Sequence, residues 1–384
     1  MIGNWKRLVT VGLLALGLAA CKVIPDDGRP PIVQPTPQPT ETPDDVLPTD
    51  DGRHRIALLV PLSGANGAVG QSIANATTMA LLDTNAENLR ITTYDTATGA
   101  DSAAARAIRD GNKLILGPLL GTDVNAVVAR ARPADVPLIS FSNDTSVAAR
   151  DVFVMGTMPE QSIVRTVDYA VARGARRFAA LIPNAEYGRR AEAALADRVS
   201  GRGGVLVATE RYDRGNTSIV SAAERLRARG GFDTVLIADG VRLSAMAAGS
   251  LKTAGADLPR LLGTELWSGD DDLTRASALN GAWFSAVSDA RYRQFVSSYE
   301  GRFGEQPHRI ATLGYDAVLL TLRVARDWRA GRDFPTSALL DEGGFLGLDG
   351  PFRFNRGGVA ERAMEVRQVG NGAISVVDPA PTRF

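Results

Sequence analysis

Residues 55–72 read RIALLVPLSGANGAVGQS, and this stretch decides the fold class. Ile56–Val60 is a short apolar run closed by Pro61, which reads as a strand. Gly64, Gly67 and Gly70 follow, and a helical pattern runs from Gly70 to Leu82. A strand, a glycine turn and a helix start in that order is where a phosphate loop would sit. The spacing is G-x-x-G-x-x-G, not G-x-G-x-x-G, and no Lys-Ser/Thr pair follows. A nucleotide site is therefore not supported. Either the glycines let N–H groups at the helix start face a small anionic group, or they form a tight turn.

Outward from this unit the alternation continues. Further strands are predicted at Leu89–Tyr94, Lys113–Leu116, Val136–Ile139, Phe178–Ile182, Gly204–Thr209, Thr234–Ile237 and Gly281–Ser285. Between them lie helical stretches at Glu160–Ala172, Glu186–Val199 and Asn216–Arg227. Strands separated by crossover helices point to parallel α/β sheets. A longer helix near Arg309–Trp328 carries Ile310, Leu313, Ala317, Leu320, Val324 and Trp328 on one face. Tyr292, Phe295, Tyr299 and Phe303 repeat likewise and read as core. After Gly343 the pattern turns to short strands at Phe352–Phe354, Ala363–Gln368 and Ile374–Val377. The order implies two lobes, one sheet from about 55–157 and another from about 158–285. The helices of 290–341 then cover the first lobe, and the last strands return to the second. A chain that crosses several times makes a hinge, with ligands at the carboxyl ends of the strands.

Composition narrows the chemistry. The 384 residues carry 43 Lys plus Arg against 43 Asp plus Glu, which argues against a nucleic-acid partner. One cysteine and two histidines exclude a disulfide framework and a Cys/His zinc site. Neither His54 nor His308 has a nucleophile-elbow context, and no G-x-S-x-G occurs. Asp270-Asp271-Asp272 reads as a solvated turn. These features predict a protein that is not an enzyme and needs no cofactor.

The zero net charge is a sum of unequal parts. Residues 1–20 hold Lys6 and Arg7, followed by an apolar run from Leu8 to Ala20, the pattern of a signal peptide. Thirteen helical residues cover only about 20 Å, too short for a hydrocarbon core of about 30 Å. Leu18-Ala19-Ala20-Cys21 resembles the bacterial lipobox, which implies that the thiol of Cys21 takes a lipid and that the protein is membrane-anchored. Lys22 after the cysteine leans toward the outer membrane. Residues 22–53 contain three basic and seven acidic side chains and eight of the 20 prolines. That composition reads as a disordered tether over 21–53. In polyproline geometry it reaches about 100 Å.

Polar residues cluster at the predicted strand ends. Ser63 and Gly64 follow the first strand, Ser140, Ser142 and Asn143 follow another, and Gly156-Thr157 a third. Tyr187 begins a helix, Asp239 follows a strand, and Glu265 follows Leu261-Leu262-Gly263-Thr264. Together they are candidates for a ligand cleft. Hydroxyls and helix N-termini would hold a carboxylate, and Asp239 or Glu265 an ammonium.

Several stretches carry a resemblance. RIALLVPLSGANGAVGQS, KLILGPLLG at 113–121, VPLISFSND at 136–144, FAALIPNAEYGRR at 178–190, GTELW at 263–267 and ATLGYDAVLL at 311–320 are similar to the periplasmic binding protein type I family, branched-chain amino-acid-binding kind. The resemblance spans 55–384 and implies an α/β fold of two lobes, each a parallel sheet flanked by helices, hinged by several crossovers. It places lobe one at about 54–157 plus 290–341 and lobe two at about 158–289 plus 342–384. GFLGLDGPFRF at 344–354 and VVDPAP at 376–381, with the lipobox and tether, look more like the branch of penicillin-binding protein activators. That branch implies a periplasmic regulator of peptidoglycan synthesis whose partner is a penicillin-binding protein. The alternative is the substrate-binding protein of an ABC permease for amino-acid-like or amide solutes. Two departures stand out. Gly117-Pro118 lead to Leu119-Leu120-Gly121-Thr122 where amino-acid binders have a Ser pair for the carboxylate, whereas Glu265 matches their ammonium-binding acid. The enterobacterial activator's extra N-terminal helical domain has only a tether in its place.

Overall fold

The computed structural model describes residues 52–252, 258–382 and 384. The predicted signal segment, Cys21 and nearly all of the tether lie outside the described residues.

The first lobe is built on β1 (His54–Val60), α1 (Gly67–Asp83), β2 (Leu89–Asp95), α2 (Ala100–Arg109), β3 (Leu114–Leu116), α3 (Gly121–Ala131), β4 (Leu138–Ser140) and β5 (Val152–Val154). Their order is β2-β1-β3-β4-β5, and every pair is parallel. Alternate residues of β1 enter two different cores. Ile56, Leu58 and Val60 pack with Ile73 and Ala80 of α1, while Ala57 and Leu59 pack with Ala103, Ala104 and Ala107 of α2 and Val127 of α3. Period-two alternation into two apolar layers leaves no polar position, hence the unbroken run in the sequence.

The Gly64–Gly70 stretch is a turn followed by close helix packing. Gly64 has φ +70°. A Cβ on Gly70 would lie 1.7 Å from the Pro61 carbonyl oxygen.

The second lobe runs α4 (Pro159–Ala172), β6 (Arg177–Pro183), α5 (Glu186–Gly201), β7 (Val205–Tyr212), α6 (Ser218–Arg229), β8 (Thr234–Ile237), α7 (Val241–Leu251), β9 (Arg260–Leu262) and β10 (Trp283–Ala286). The chain then returns to the first lobe with α8 (Tyr292–Phe303), α9 (Thr312–Ala325), β11 (Phe345–Gly347), β12 (Gly350–Phe354) and β13 (Ala360–Arg362). It ends in β14 (Glu365–Val369) and β15 (Ile374–Asp378), which join the second sheet in the order β15-β14-β10-β9-β8-β6-β7.

Two expectations are corrected. The second sheet is mixed rather than parallel, because β14 pairs antiparallel with β10 and β15 antiparallel with β14. A short turn joins the last two strands, and a turn of that length can only link antiparallel neighbours. Residues 342–362 do not return to the second lobe. Phe352, Phe354 and Ala360 belong to the first lobe's core, with Phe354 edge-on to Phe153 at 5.2 Å. Each buried phenylalanine is worth about 1.5–3 kcal/mol, enough to hold this small sheet on lobe one. The predicted aromatic face of α8 is core as expected, with Phe295 and Tyr299 buried against Ala76 and Met79. His54 is likewise packed, its ring stacked on Trp328 at 4.0 Å.

The chain thus crosses between lobes after β5, after β10 and between β13 and β14. Arg362, on the third crossing, is fully buried and donates from Nη2 to Met155 O of the first at 2.8 Å. Arg367 donates from Nη2 to Val287 O of the second at 2.6 Å. Two guanidinium groups therefore bind three crossings into one joint.

Gly70→Ala should destabilise the protein by about 1–3 kcal/mol or more, since backbone stands where the methyl must go. Urea unfolding of the variant, beside Gly64→Ala as a strain-only control, measures the difference.

Candidate functional site

A cavity of about 590 Å³ lies between the lobes, walled by Asn66, Val69, Leu119, Leu120 and Phe141 from the first and by Glu265, Leu266 and Ala286 from the second. Gly156, Thr157 and Val287 of the crossings close its floor, with Arg309 and Asp349 at one side. Most of this wall is apolar, and a few polar groups are fixed in it by their neighbours.

Glu265 is the most tightly built of these. Gly263 follows β9 because a Cβ there would lie 2.4 Å from the Trp267 ring. Trp267 is buried and its indole N–H donates to Asp239 O at 2.9 Å. Thr264 caps the single 3-10 turn Glu265–Trp267 by accepting from Leu266 N. The Tyr187 hydroxyl reaches across, 2.8 Å from Thr264 Oγ1 and donating to Glu265 Oε1 at 3.0 Å. Glu265 Oε2 is inaccessible and has no hydrogen-bond partner among the described residues. Such an acceptor costs about 1–3 kcal/mol. Burial, with a smaller push from Glu160, raises the Glu265 pKa to about 7. The same burial and the nearby Glu265 charge raise the Tyr187 pKa.

On the facing lobe a cis Gly117–Pro118 bond leads into α3. Gly117 has φ +104°, and a Cβ there would be 2.2 Å from Leu59 O. Leu119 and Leu120 then line the cavity, and Leu120 stands at the N-cap of α3 without a side chain able to cap it. An Asp144 carboxylate oxygen approaches that helix start, 3.2 Å from where a Cβ of Gly121 would be.

Arg309 opens a 3-10 turn before α9. Its Nη1 lies 2.8 Å from Asp349 Oδ1, its Nη2 is 3.9 Å from Asp289, and its guanidinium sits 4.2 Å over the Tyr292 ring. Burial on its own would lower the Arg309 pKa, but Asp349 foremost and then Asp289 outweigh it and hold the value up. Nε and Nη2 have no hydrogen-bond partner among the described residues.

Of the ten expected cleft residues, Ser142, Asn143, Gly156, Thr157 and Glu265 line the cavity. Tyr187 acts behind it by orienting Glu265. Ser140 is buried structure, donating to Pro118 O at 2.9 Å and accepting from Ser142 N. Asp239 is also structural, accepting from Tyr212 Oη at 2.7 Å and Arg214 Nε at 2.9 Å. Ser63 and Gly64 belong to the exposed turn, and Asn66 and Val69 take the wall in their place. Sequence reasoning missed Arg309 and Asp349. Arg309 begins a stretch read for its apolar face and Asp349 lies in one read for its family resemblance, and nothing local marks one arginine among so many.

The sequence model of the periplasmic binding protein family matches residues 54–373. The chain belongs to that family. Solved periplasmic binding proteins share its fold. A protein from Rhodospirillum rubrum assigned to branched-chain amino acid ABC transport is 22% identical, with a TM-score of 0.75 over 85% of this chain and 100% of that one. The substrate-binding protein LivJ of Streptococcus pneumoniae, solved with isoleucine, is 20% identical, with a TM-score of 0.62 over 85% of this chain and 100% of that one. A solute-binding protein of Rhodopseudomonas palustris BisB5, solved with 3,4-dihydroxybenzoic acid, is 19% identical, with a TM-score of 0.66 over 87% and 98%. An uncharacterized protein of Rickettsia prowazekii (strain Madrid E) is 25% identical over 173 residues, 44% of this chain and 46% of that relative's length.

The Glu265 pKa gives a stability test for this periplasmic binding protein. A raised carboxyl pKa means that the folded state keeps a proton the unfolded chain has released. Stability should therefore fall as pH rises from about 4.5 to about 7. Glu265→Gln should raise Tm at pH 8 and change it little at pH 4, and thermal melts at the two pH values check this.

Proposed function

We propose that this chain is a non-catalytic periplasmic receptor that holds a small amino-acid-like solute between its lobes and presents it to an ABC permease. One observation carries the reading: Glu265 stands as a carboxyl group in the largely apolar wall between the lobes, oriented by the Tyr187 hydroxyl. An ammonium or amide N–H fits there, with an apolar body against Leu119, Leu120 and Phe141. A cavity of about 590 Å³ is of the size that encloses small ligands. The isoleucine of one solved neighbour is a molecule of this kind, polar at one end and apolar at the other, and the 3,4-dihydroxybenzoic acid of another is a small carboxylic acid of similar size. The receptor resides in the periplasm, and Cys21 ties it to a membrane through lipid.

Calorimetry with a panel of amino acids and amides tests the reading. A member of the panel should bind, and Glu265→Ala should abolish the heat. If nothing binds, the receptor reading falls. The lobes should close on a bound member of the panel, so small-angle scattering should record a smaller radius of gyration; an unchanged radius counts against the hinge.

A second reading has its own support. The lipobox, a tether of about 100 Å and the GFLGLDGPFRF segment favour an outer-membrane lipoprotein that contacts a penicillin-binding protein and regulates peptidoglycan synthesis. A permease lies in the inner membrane, so membrane fractionation separates the two roles. Outer-membrane residence favours the regulator, and inner-membrane residence the transport receptor.

A further inference from the structure

We propose that a groove on the first lobe, between α9 and the open edge of β11, docks an extended segment of a partner protein that carries acidic side chains beside apolar ones. The groove shares no wall residue with the cavity between the lobes. The inference therefore goes beyond the receptor reading and does not depend on it.

The groove encloses about 690 Å³, and its wall includes Leu319, Leu322 and Arg323 of α9, Arg326 just after it, and Phe345 and Leu346 of β11. Leu319, Leu322 and Phe345 are only half-buried, and Leu346 is 56% exposed. Open apolar surface of this extent marks a place where something else binds. Arg323 and Arg326 are three residues apart and so stand on one side of the helix end. Both are exposed, and neither has an ion pair or hydrogen bond among the described residues. The one acid in the wall is Asp316, which is fully buried and accepts from Leu348 N at 2.6 Å. Burial foremost, and then the Asp349 charge, raise its pKa to about 7, so it offsets at most part of the two positive charges.

The backbone of β11 decides what kind of molecule fits. The small sheet runs β11-β12-β13, which makes β11 an edge strand. Leu346 stands opposite Pro351. Proline has no N–H, and the Pro351 carbonyl is turned to the other side, where it accepts from Ala363 N at 3.0 Å. Leu346 and Pro351 are therefore a non-hydrogen-bonded pair, and the Leu346 N–H and C=O point away from β12 to the open edge. Neither has a partner among the described residues. An edge with a free donor and a free acceptor is completed by a second peptide backbone. An acyl chain could fill the apolar space but would leave that edge unpaired. Two unpaired guanidinium groups beside the edge select carboxylates. With only three residues in β11 the backbone pairing is short, so the arginines and leucines must supply much of the affinity.

Capped octapeptides test the groove by calorimetry on the full chain: an alternating Val-Glu peptide, an alternating Val-Lys peptide, and the Val-Glu peptide N-methylated at every residue. The Val-Glu peptide should bind with a Kd below about 1 mM, as expected of a small transient contact. The Val-Lys and N-methylated peptides should bind at least about tenfold more weakly, since one loses the charge-assisted bonds and the other the backbone pairing. Arg323→Glu with Arg326→Glu should weaken the Val-Glu peptide by at least about tenfold. Leu346→Pro removes an outward N–H where β12 makes no ladder bond, and should weaken it by about threefold or more with Tm unchanged. Glu265→Ala should bind it as wild type does. The assignment is overturned if the Val-Glu peptide does not bind, if either control peptide binds as tightly, or if binding survives the double arginine substitution. Sedimentation that shows a dimer dissociated by the Val-Glu peptide would make the occupant a second copy of this chain and overturn the assignment to a partner protein. Each of these failures leaves the receptor reading standing, because that reading is decided by amino acids and amides at the other site.

Discussion

The cavity depends on how two buried arginines hold the three chain crossings. A guanidinium out of water is costly unless its charge is paired and its N–H groups are bonded. Arg367 meets this with Val287 O, Asp289 and Glu365, whereas Arg362 donates from Nη2 to Met155 O and faces Asp349 at 4.0 Å, its Nε and Nη1 having no hydrogen-bond partner among the described residues. Met155 precedes Gly156-Thr157, and Val287 lines the floor directly. The same contacts that satisfy the buried charges therefore fix the spacing of the two cavity walls.

The two sides of the cavity are built on different physics. On the second lobe, packing places the charge: Gly263 lets Trp267 lie flat against the backbone, and the short turn beyond it carries Glu265 into the wall. Tyr187 then takes one carboxylate oxygen and leaves the other. At one side of the cavity, electrostatics sets the position, since Arg309, in the turn before α9, is suspended between Asp349 and Asp289, acids that Arg362 and Arg367 share. The first lobe contributes shape, through the leucines that follow Gly117-Pro118. The wall between the lobes thus combines a few fixed charged groups with a largely apolar surface.

The α/β class was legible because parallel strands buried on both faces leave a continuous apolar signature, as in Ile56–Val60. The α9 and α8 faces were legible for the equivalent helical reason, and the second lobe's β6, β7 and β8 alternated clearly with helices, whereas the three-residue β9 was too short to stand out. The antiparallel pairing of β14 and β15 was not, since a short apolar strand carries no mark of its partner's direction. Nor was the allegiance of β12, which was settled by Phe352 and Phe354 finding Phe153 across space. Of the site, Glu265 could be found because a polar residue just beyond a strand end is an identifiable signal. Asp239 gave the same signal and serves structure, since Tyr212 and Arg214 donate to its Oδ2 and the Gly240 N–H to its Oδ1.

The sequence by itself determined the strand–helix alternation, the glycine turn after β1 and the absence of a nucleotide loop there. It also supplied the motifs by which the family could be expected. These are properties of neighbours along the chain, where periodicity and backbone sterics act directly. Only the tertiary structure decided which polar groups face the cavity and which are used up inside the protein. That distinction depends on partners far away in sequence: Arg309 is held by Asp289 and Asp349, and Glu265 by Tyr187. A hydrogen-bonding group is available to a ligand only after the fold has finished satisfying its own.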